Sequence, residues 1–345
     1  MLKIPAPGCT NPMPAWQPVP GSEAQRRIYR APEGNNLRYF WGEPPQEFKR
    51  FFSPLHLPCG QCLSCRHQYA SEWSARIMSE ATLYERNCFV TLTYAPEHLP
   101  ADGSLVKKDL QDFKKRLRSK FSGYDVVPGI KLKPNQKNPI RTYEGAEYGE
   151  QFSRPHYHLC ILNFKPFDLL TKFANKQGQT LYTSKSLEAL WGKGFVTVGE
   201  LTAESADYVA RYVMKKVNGK EKNEHYRKID HETGELIFLE QEFATMSRKP
   251  GIGIPFFEKY KSDFFDGKMT FRKQGKVVRR KTPKHFETVL ARTHPEIVEN
   301  LKQARKEKAE HDRLKNPLEY TPARMAVKAK VYEATVKSLK RKNPI

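Results

Sequence analysis

Two histidines one residue apart, His156 and His158, stand in the segment Arg154-Pro155-His156-Tyr157-His158-Leu159-Cys160-Ile161-Leu162. The segment alternates, is rich in apolar and aromatic residues and opens with proline, so it reads as a β-strand. Side chains two apart on a strand share a face. Both imidazoles therefore project side by side, while Tyr157, Leu159 and Ile161 take the other face. Taken alone, a His-x-His pair is better explained as two histidines on a solvated sheet face. With one carboxylate it becomes a three-ligand site for a divalent ion that leaves positions for water and substrate oxygens. Such mixed nitrogen and oxygen donors suit Mg²⁺ or Mn²⁺ in phosphate chemistry, where the ion polarises a phosphoryl oxygen. Ile140 to Tyr148 reads as a second strand, with Gly149 to Arg154 as the turn between the two. In a hairpin, residues before the turn lie beside those after it. Glu147, ahead of His156, can supply the carboxylate, and Glu144 and Glu150 compete on spacing alone.

Tyr208 and Tyr212 form the second chemical pair. They lie in a segment, Ala203 to Val217, that reads as a helix stopped by Asn218-Gly219. Thr202 is the expected N-cap, with Glu204 and Asp207 near the positive end of the helix. Ala206, Val209, Ala210, Val213 and Val217 fall within one arc of about 100° and should be buried on the sheet. Tyr208, Arg211, Tyr212 and Lys215 fall on the opposite side. The two phenols are thus neighbours, each with a cation three residues on. An ordinary amphipathic helix with rim tyrosines shows the same pattern. A phenol has a pKa of about 10, and Arg211, Lys215 or a bound cation would favour the phenolate. Attack on a DNA phosphodiester would give a phosphotyrosine link and a free 3′-hydroxyl. The link keeps the bond energy, so the strand can be rejoined. Two tyrosines allow two such steps in turn. Tyr212 is favoured as first attacker because Lys215 and Lys216 both follow one turn on.

These groups need a scaffold. Cys88 to Tyr94 is β-branched and aromatic and should be a central strand, with Thr91 and Thr93 on one face. Helices are expected at about 67–86, from Lys107 to about Phe121, and near Ser184 to Trp191. Gly194 to Leu201 reads as a further strand, and Leu236 to Phe243 as extended. Met246 to Gly253 is a basic glycine loop whose backbone amides could approach phosphates, with Arg248 and Lys249 as its cations. Residues 268–281 look like a hairpin about Gln274-Gly275, with Arg272, Lys273, Arg279 and Arg280 as phosphate contacts or merely solvated charges.

Three cysteines, Cys59, Cys62 and Cys65, crowd into Pro58-Cys59-Gly60-Gln61-Cys62-Leu63-Ser64-Cys65-Arg66. They could hold a structural Zn²⁺ if His56, His67 or Cys88 gave a fourth ligand. A tight turn with small buried thiols is the competing reading.

The chain has 345 residues, room for roughly two domains of ~150. It carries 60 Lys+Arg against 38 Asp+Glu, a net +22, which makes nucleic acid the expected partner. No run of about 18 apolar residues appears, so no membrane partner is expected. The N-terminus lacks an apolar core of signal-peptide length, and the cysteine usage suits a reducing compartment, which together point to the cytoplasm. Residues 1–54 read as an irregular arm, 55–265 as the main domain, and 266–345 as the basic hairpin and a helical, basic C-terminal tail.

Phe89-Val90-Thr91-Leu92-Thr93-Tyr94, Arg154-Pro155-His156-Tyr157-His158 and Tyr208-Val209-Ala210-Arg211-Tyr212-Val213-Met214-Lys215-Lys216 resemble the three ordered motifs of HUH endonucleases, the rolling-circle replication initiators. Ala146-Glu147-Tyr148-Gly149 resembles the family segment whose Glu is the third metal ligand, which favours Glu147 over its rivals. The paired tyrosines resemble those of initiators from small single-stranded DNA phages. The cysteine segment and Met-Ser-Arg-Lys-Pro-Gly-Ile-Gly resemble the gokushovirus branch of the microviruses. The resemblance covers about residues 55–260, and Arg211 stands where some relatives place lysine. Arginine keeps the charge but does not readily deprotonate.

The resemblance implies an α+β fold, an antiparallel β-sheet flanked by helices, ferredoxin- or RRM-like. It implies an enzyme that nicks and rejoins viral origin DNA, single- and double-stranded, in the cytoplasm of the bacterial host. With no ATPase motif in the chain, a host helicase and a host DNA polymerase are the expected partners. Two other functions share part of this pattern: a non-catalytic basic DNA-binding or packaging protein, and a metal-dependent nuclease that uses water.

Overall fold

A computed structural model describes residues 8–10, 12–18, 40–41, 46, 49–134, 136–149, 152–174, 178, 180–212, 222–229, 233–273 and 276–342. In chain order the elements begin with β1 (Met13–Pro18), β2 (Phe40–Trp41), β3 (Phe52–Leu57), α1 (Leu63–Ala81), β4 (Cys88–Tyr94) and α2 (Lys107–Lys120). There follow β5 (Arg141–Tyr148), β6 (Pro155–Leu162), β7 (Leu169–Ala174), β8 (Thr180–Ser184), α3 (Lys185–Trp191), β9 (Gly194–Gly199) and α4 (Ala203–Tyr212). Then come α5 (Lys222–His225), β10 (Arg227–Ile229), β11 (Leu236–Phe238), β12 (Phe243–Met246) and α6 (Ile254–Lys259). The chain closes with β13 (Lys268–Lys273), β14 (Lys276–Lys281), α7 (Lys284–Leu290), α8 (Pro295–Lys315) and α9 (Pro322–Lys342). Two compact units divide between Gln68 and Tyr69, within α1, and between Pro317 and Leu318.

The larger unit holds a seven-stranded sheet of order β12-β5-β6-β4-β9-β8-β7, antiparallel throughout. This is the expected α+β architecture, with β4 at its centre. Alternation explains how one sheet serves two layers. Val90, Leu92 and Tyr94 of β4 and Tyr157, Leu159 and Ile161 of β6 join Phe113 of α2 and Trp191 of α3 in one core. Each such apolar side chain contributes about 1.5–3 kcal/mol on burial. The odd positions of β5 and the even positions of β6 face the other way. There Tyr143, Cys160 and Leu162 pack under Ile77 of α1 and Ala206, Val209 and Ala210 of α4. A third cluster joins Ala75, Phe257, Phe264, Met269, Phe286 and Leu290 around the β13–β14 hairpin. The hairpin is thus anchored by Met269, and it has the register expected about residues 274–275.

The smaller unit holds an antiparallel sheet of order β2-β1-β3. Residues 1–54, expected to be irregular, therefore contain strands. Pro14 and Pro18 do not break β1, because β2 pairs only with Ala15 and Trp16. Helix α9, expected as part of a basic tail, belongs to the same unit and buries Tyr332 and Val336. Tyr332 Oη lies 2.6 Å from His67 Nδ1.

Candidate active site

Three adjacent strands bring the polar groups to the face covered by α1 and α4. The register sets Glu147 opposite His156, Thr91 opposite His158 and Thr93 opposite His156. Residues directly opposite in a ladder share a face. Glu147 Oε1 lies 3.3 Å from His158 Nε2. Thr91 Oγ1 lies 3.0 Å from His158 Nδ1, and Thr93 Oγ1 3.3 Å from His156 Nδ1. The imidazole centroids are 6.4 Å apart. Glu147 and His158 are buried and His156 half-buried. A buried carboxylate is tolerated only when paired, and the His158 ring is that partner. Gly149 opens the turn because a Cβ there would stand 3.0 Å from His156 Nε2. The three donor groups are less tightly gathered than the sulfurs of Cys9, Cys59, Cys62 and Cys65.

The register also separates the competing acids. Glu144 stands opposite Leu159, on the α2 face. It is fully buried, 3.1 Å from Lys114 Nζ, and accepts a 2.6 Å hydrogen bond from Thr245 Oγ1. Glu150 lies outside the described residues.

Helix α4 starts as expected: Thr202 Oγ1 accepts from Ser205 N–H at 3.2 Å, and Ser205 Oγ accepts from Thr202 N–H at 2.8 Å. Ala206, Val209 and Ala210 are buried, as the apolar arc requires. Tyr208 departs from the expected outward face. It is half-buried, and its ring reaches back to the sheet, with its centroid 5.3 Å from that of His158 at an interplanar angle of 79°. Phe89 packs at 5.9 Å on His158 and 6.4 Å from Tyr208, so the three rings share one nest. Arg211 is exposed and ion-paired with Asp207 one turn back. The Tyr212 side chain and Lys215 lie outside the described residues.

The sequence placed Thr91 and Thr93 on one face without giving them a task. The signal was a Thr-x-Thr strand able to pair with a His-x-His strand, and only the register turns it into two imidazole anchors.

Several cations have structural duties. Arg280 donates to Ser71 O at 2.9 Å and Ser71 Oγ at 2.5 Å, and burial lowers its pKa. Arg279 pairs with Asp266 at 3.0 Å. The side chains of Arg272 and Lys273 lie outside the described residues. Arg248 and Lys249 border a cleft of about 290 Å³ with Lys114, Arg118 and Glu144. That cleft belongs to the α2 side of β5, not to the histidine side. The glycine loop is spent on internal bonds: Gly253 N–H donates to Glu80 Oε2 at 2.5 Å, and the carbonyls of Ile252 and Pro250 accept from Arg76 and Arg141. Cys88, one candidate fourth zinc ligand, is buried in the sheet core; His67 bonds Tyr332, and the His56 side chain lies outside the described residues.

An antiparallel sheet carrying a histidine pair, a carboxylate and a helix-borne tyrosine on one face defines a class. The family model for the replication-associated protein ORF2 matches residues 87–217, the stretch from β4 through α4 that holds this geometry. The chain is 32% identical over 240 residues to replication-associated protein VP4 of Bdellovibrio phage phiMH2K, covering 69% of each chain. It is 33% identical over 242 residues to replication-associated protein ORF2 of Spiroplasma virus 4, covering 68% of each. Replication-associated protein ORF4 of Chlamydia phage 1 is 32% identical over 174 residues, 49% of this chain and 40% of that one. No solved structure matches. The chain belongs to the ORF2 family of phage replication-associated proteins.

Proposed function

We propose that this chain initiates rolling-circle DNA replication by nicking one strand of a phage origin through tyrosine attack and later rejoins the displaced strand. The observation that carries this reading is the Tyr208 ring packed against His158, with Glu147 on the same sheet face. The relatives' names supply the replication context.

Glu147 Oε1 and the Nε2 atoms of His156 and His158 would hold Mg²⁺ or Mn²⁺, which supplies charge neutralisation at the scissile phosphate. The donor set fits such an ion. Each Nδ1 is turned to a threonine hydroxyl, and an Nδ1–H donated there leaves Nε2 with its lone pair. The buried Glu147 carboxylate already faces one such nitrogen. Tyr208 Oη then forms a bond to phosphorus as the phosphorus–O3′ bond breaks and the 3′-hydroxyl leaves with a proton. The 5′ end stays on the enzyme as a phosphotyrosine. Tyr212 is the second nucleophile, attacking the newly made junction so that the first link is released. Arg211 and Lys215 favour the phenolate forms by charge. Arg248, Lys249, Arg272, Lys273 and Arg279 contact DNA phosphates away from the reacting bond, and Arg280 secures the hairpin that presents them. A host helicase and polymerase complete the cycle in the bacterial cytoplasm. No helix among the described residues is long and apolar enough to cross a membrane.

Incubation of the protein with single-stranded origin DNA and Mn²⁺ tests this. The expected product is a protein–DNA complex that survives denaturation, together with a shortened strand ending in a 3′-hydroxyl. Cleavage with no adduct would instead indicate a nuclease that uses water. Salt-sensitive binding with no cleavage would indicate a packaging protein.

A further inference from the structure

The four cysteines of the smaller unit stand apart from this chemistry. Cys9, Cys59, Cys62 and Cys65 place their Sγ atoms all within 4.8 Å of one another. Cys9 Sγ and Cys62 Sγ are 3.9 Å apart. A disulfide would need about 2.05 Å. A tetrahedron of thiolates around zinc, at Zn–S of about 2.3 Å, has sulfur–sulfur edges of about 3.8 Å. The cluster therefore has the dimensions of a metal site and not those of a cystine. We propose that Cys9, Cys59, Cys62 and Cys65 form a four-thiolate structural zinc site that clamps the ends of β1 and β3 to the start of α1.

Three further observations support the clamp. The β1–β3 ladder sets Met13 opposite Leu57, so Cys9 before one strand and Cys59 after the other leave the sheet at the same end. Backbone amides already point at the sulfurs: Cys59 N–H donates to Cys9 Sγ at 3.2 Å and Cys62 N–H to Cys59 Sγ at 3.2 Å. Such bonds spread the negative charge of a thiolate. Gly60, between the first two cysteines of the turn, has φ +70°, the left-handed conformation that lets the chain fold back from Cys59 to Cys62. Four protein ligands leave no open position, so the ion is structural and not catalytic. An S₄ tetrahedron also accepts iron, and the metal analysis below separates the two. Because the ion binds only the folded arrangement, its binding free energy adds to the stability of this unit. The clamp does not depend on the nicking reaction.

The full-length protein, purified from zinc-supplemented culture, should contain one zinc per chain by elemental mass spectrometry. Cobalt exchange should give the intense visible absorption of a tetrahedral four-thiolate centre. Cys9→Ser should lose most of the zinc, whereas His67→Ala should keep it. If Cys9→Ser does not fold, alkylation of the wild type decides. Cys9, Cys59, Cys62 and Cys65 should react with iodoacetamide only after a chelator is added, while the buried Cys88 and Cys160 stay unlabelled throughout. Stoichiometric iron in place of zinc, absence of any metal, full zinc in folded Cys9→Ser, or equal labelling with and without chelator would each overturn the proposal.

Discussion

The two faces of β5 and β6 use the same residue types for opposite ends. Tyr157 sits between His156 and His158 in the sequence, yet it points into the apolar core, where its hydroxyl meets Tyr94 Oη at 3.0 Å and accepts from Val106 N–H at 2.8 Å. Burial pushes its pKa up to about 12. Tyr208 presents its ring to the histidine face and is half-buried. Glu144 and Glu147, three apart on one strand, divide in the same way. The first neutralises Lys114 inside the α2 face, and the second faces His158. What separates a structural tyrosine or carboxylate from a chemical one is therefore strand parity, which decides whether the group meets a closed hydrogen-bond set or an imidazole.

Paired substitutions turn this contrast into predictions. The largest effect is expected from Tyr208→Phe combined with Tyr212→Phe: adduct formation with origin DNA should disappear from denaturing gels while the melting temperature stays near that of the wild type. Tyr157→Phe, on the other face, should retain adduct formation and lose thermal stability instead, by about 1–3 kcal/mol for the partners left without its hydroxyl. Next come the carboxylates. Glu147→Gln should lower the Mn²⁺-dependent cleavage rate by more than ~100-fold, the upper range for groups that only support metal ligands. Glu144→Gln should keep the metal dependence but cost about 3–5 kcal/mol in chemical denaturation, because Lys114 is left buried without its counter-charge.

A smaller effect is expected for the imidazole anchors. Thr91→Val should raise the Mn²⁺ concentration for half-maximal cleavage ~10–100-fold, with Thr91→Ser restoring it. Titration of each purified variant with Mn²⁺ measures this, and an unchanged midpoint would remove Thr91 from the site. Smallest is Arg211→Lys. Its exposed pair with Asp207 is worth about 0.3–0.5 kcal/mol, so stability should barely change in a melting experiment.

The sheet was legible because its strands alternate cleanly: Thr91 and Thr93 against Val90 and Leu92, His156 and His158 against Tyr157 and Leu159. The hairpin placed Glu147 near the histidines, but three acids competed until the register sent Glu144 to the other face. Tyr208 could not be placed by helical angle alone, because a long aromatic side chain at the rim can swing back over the sheet. The strands of residues 13–18 and 52–57 were hidden by their prolines, which sit where only one neighbour pairs with β1. Cys9 was invisible as a partner of Cys59 because nothing local in the sequence signals a contact 50 residues long. The glycine loop misled for a related reason: its amides are consumed by Glu80, a helix residue whose buried position no spacing rule reveals.

The most direct test of the account is to identify the atom that holds the DNA. Nuclease and protease digestion of the adduct formed with Mn²⁺, followed by peptide mass spectrometry, should find a nucleotide phosphate on Tyr208 or Tyr212. Full cleavage that leaves a free 5′-phosphate on the DNA, with every tyrosine peptide unmodified, would contradict it.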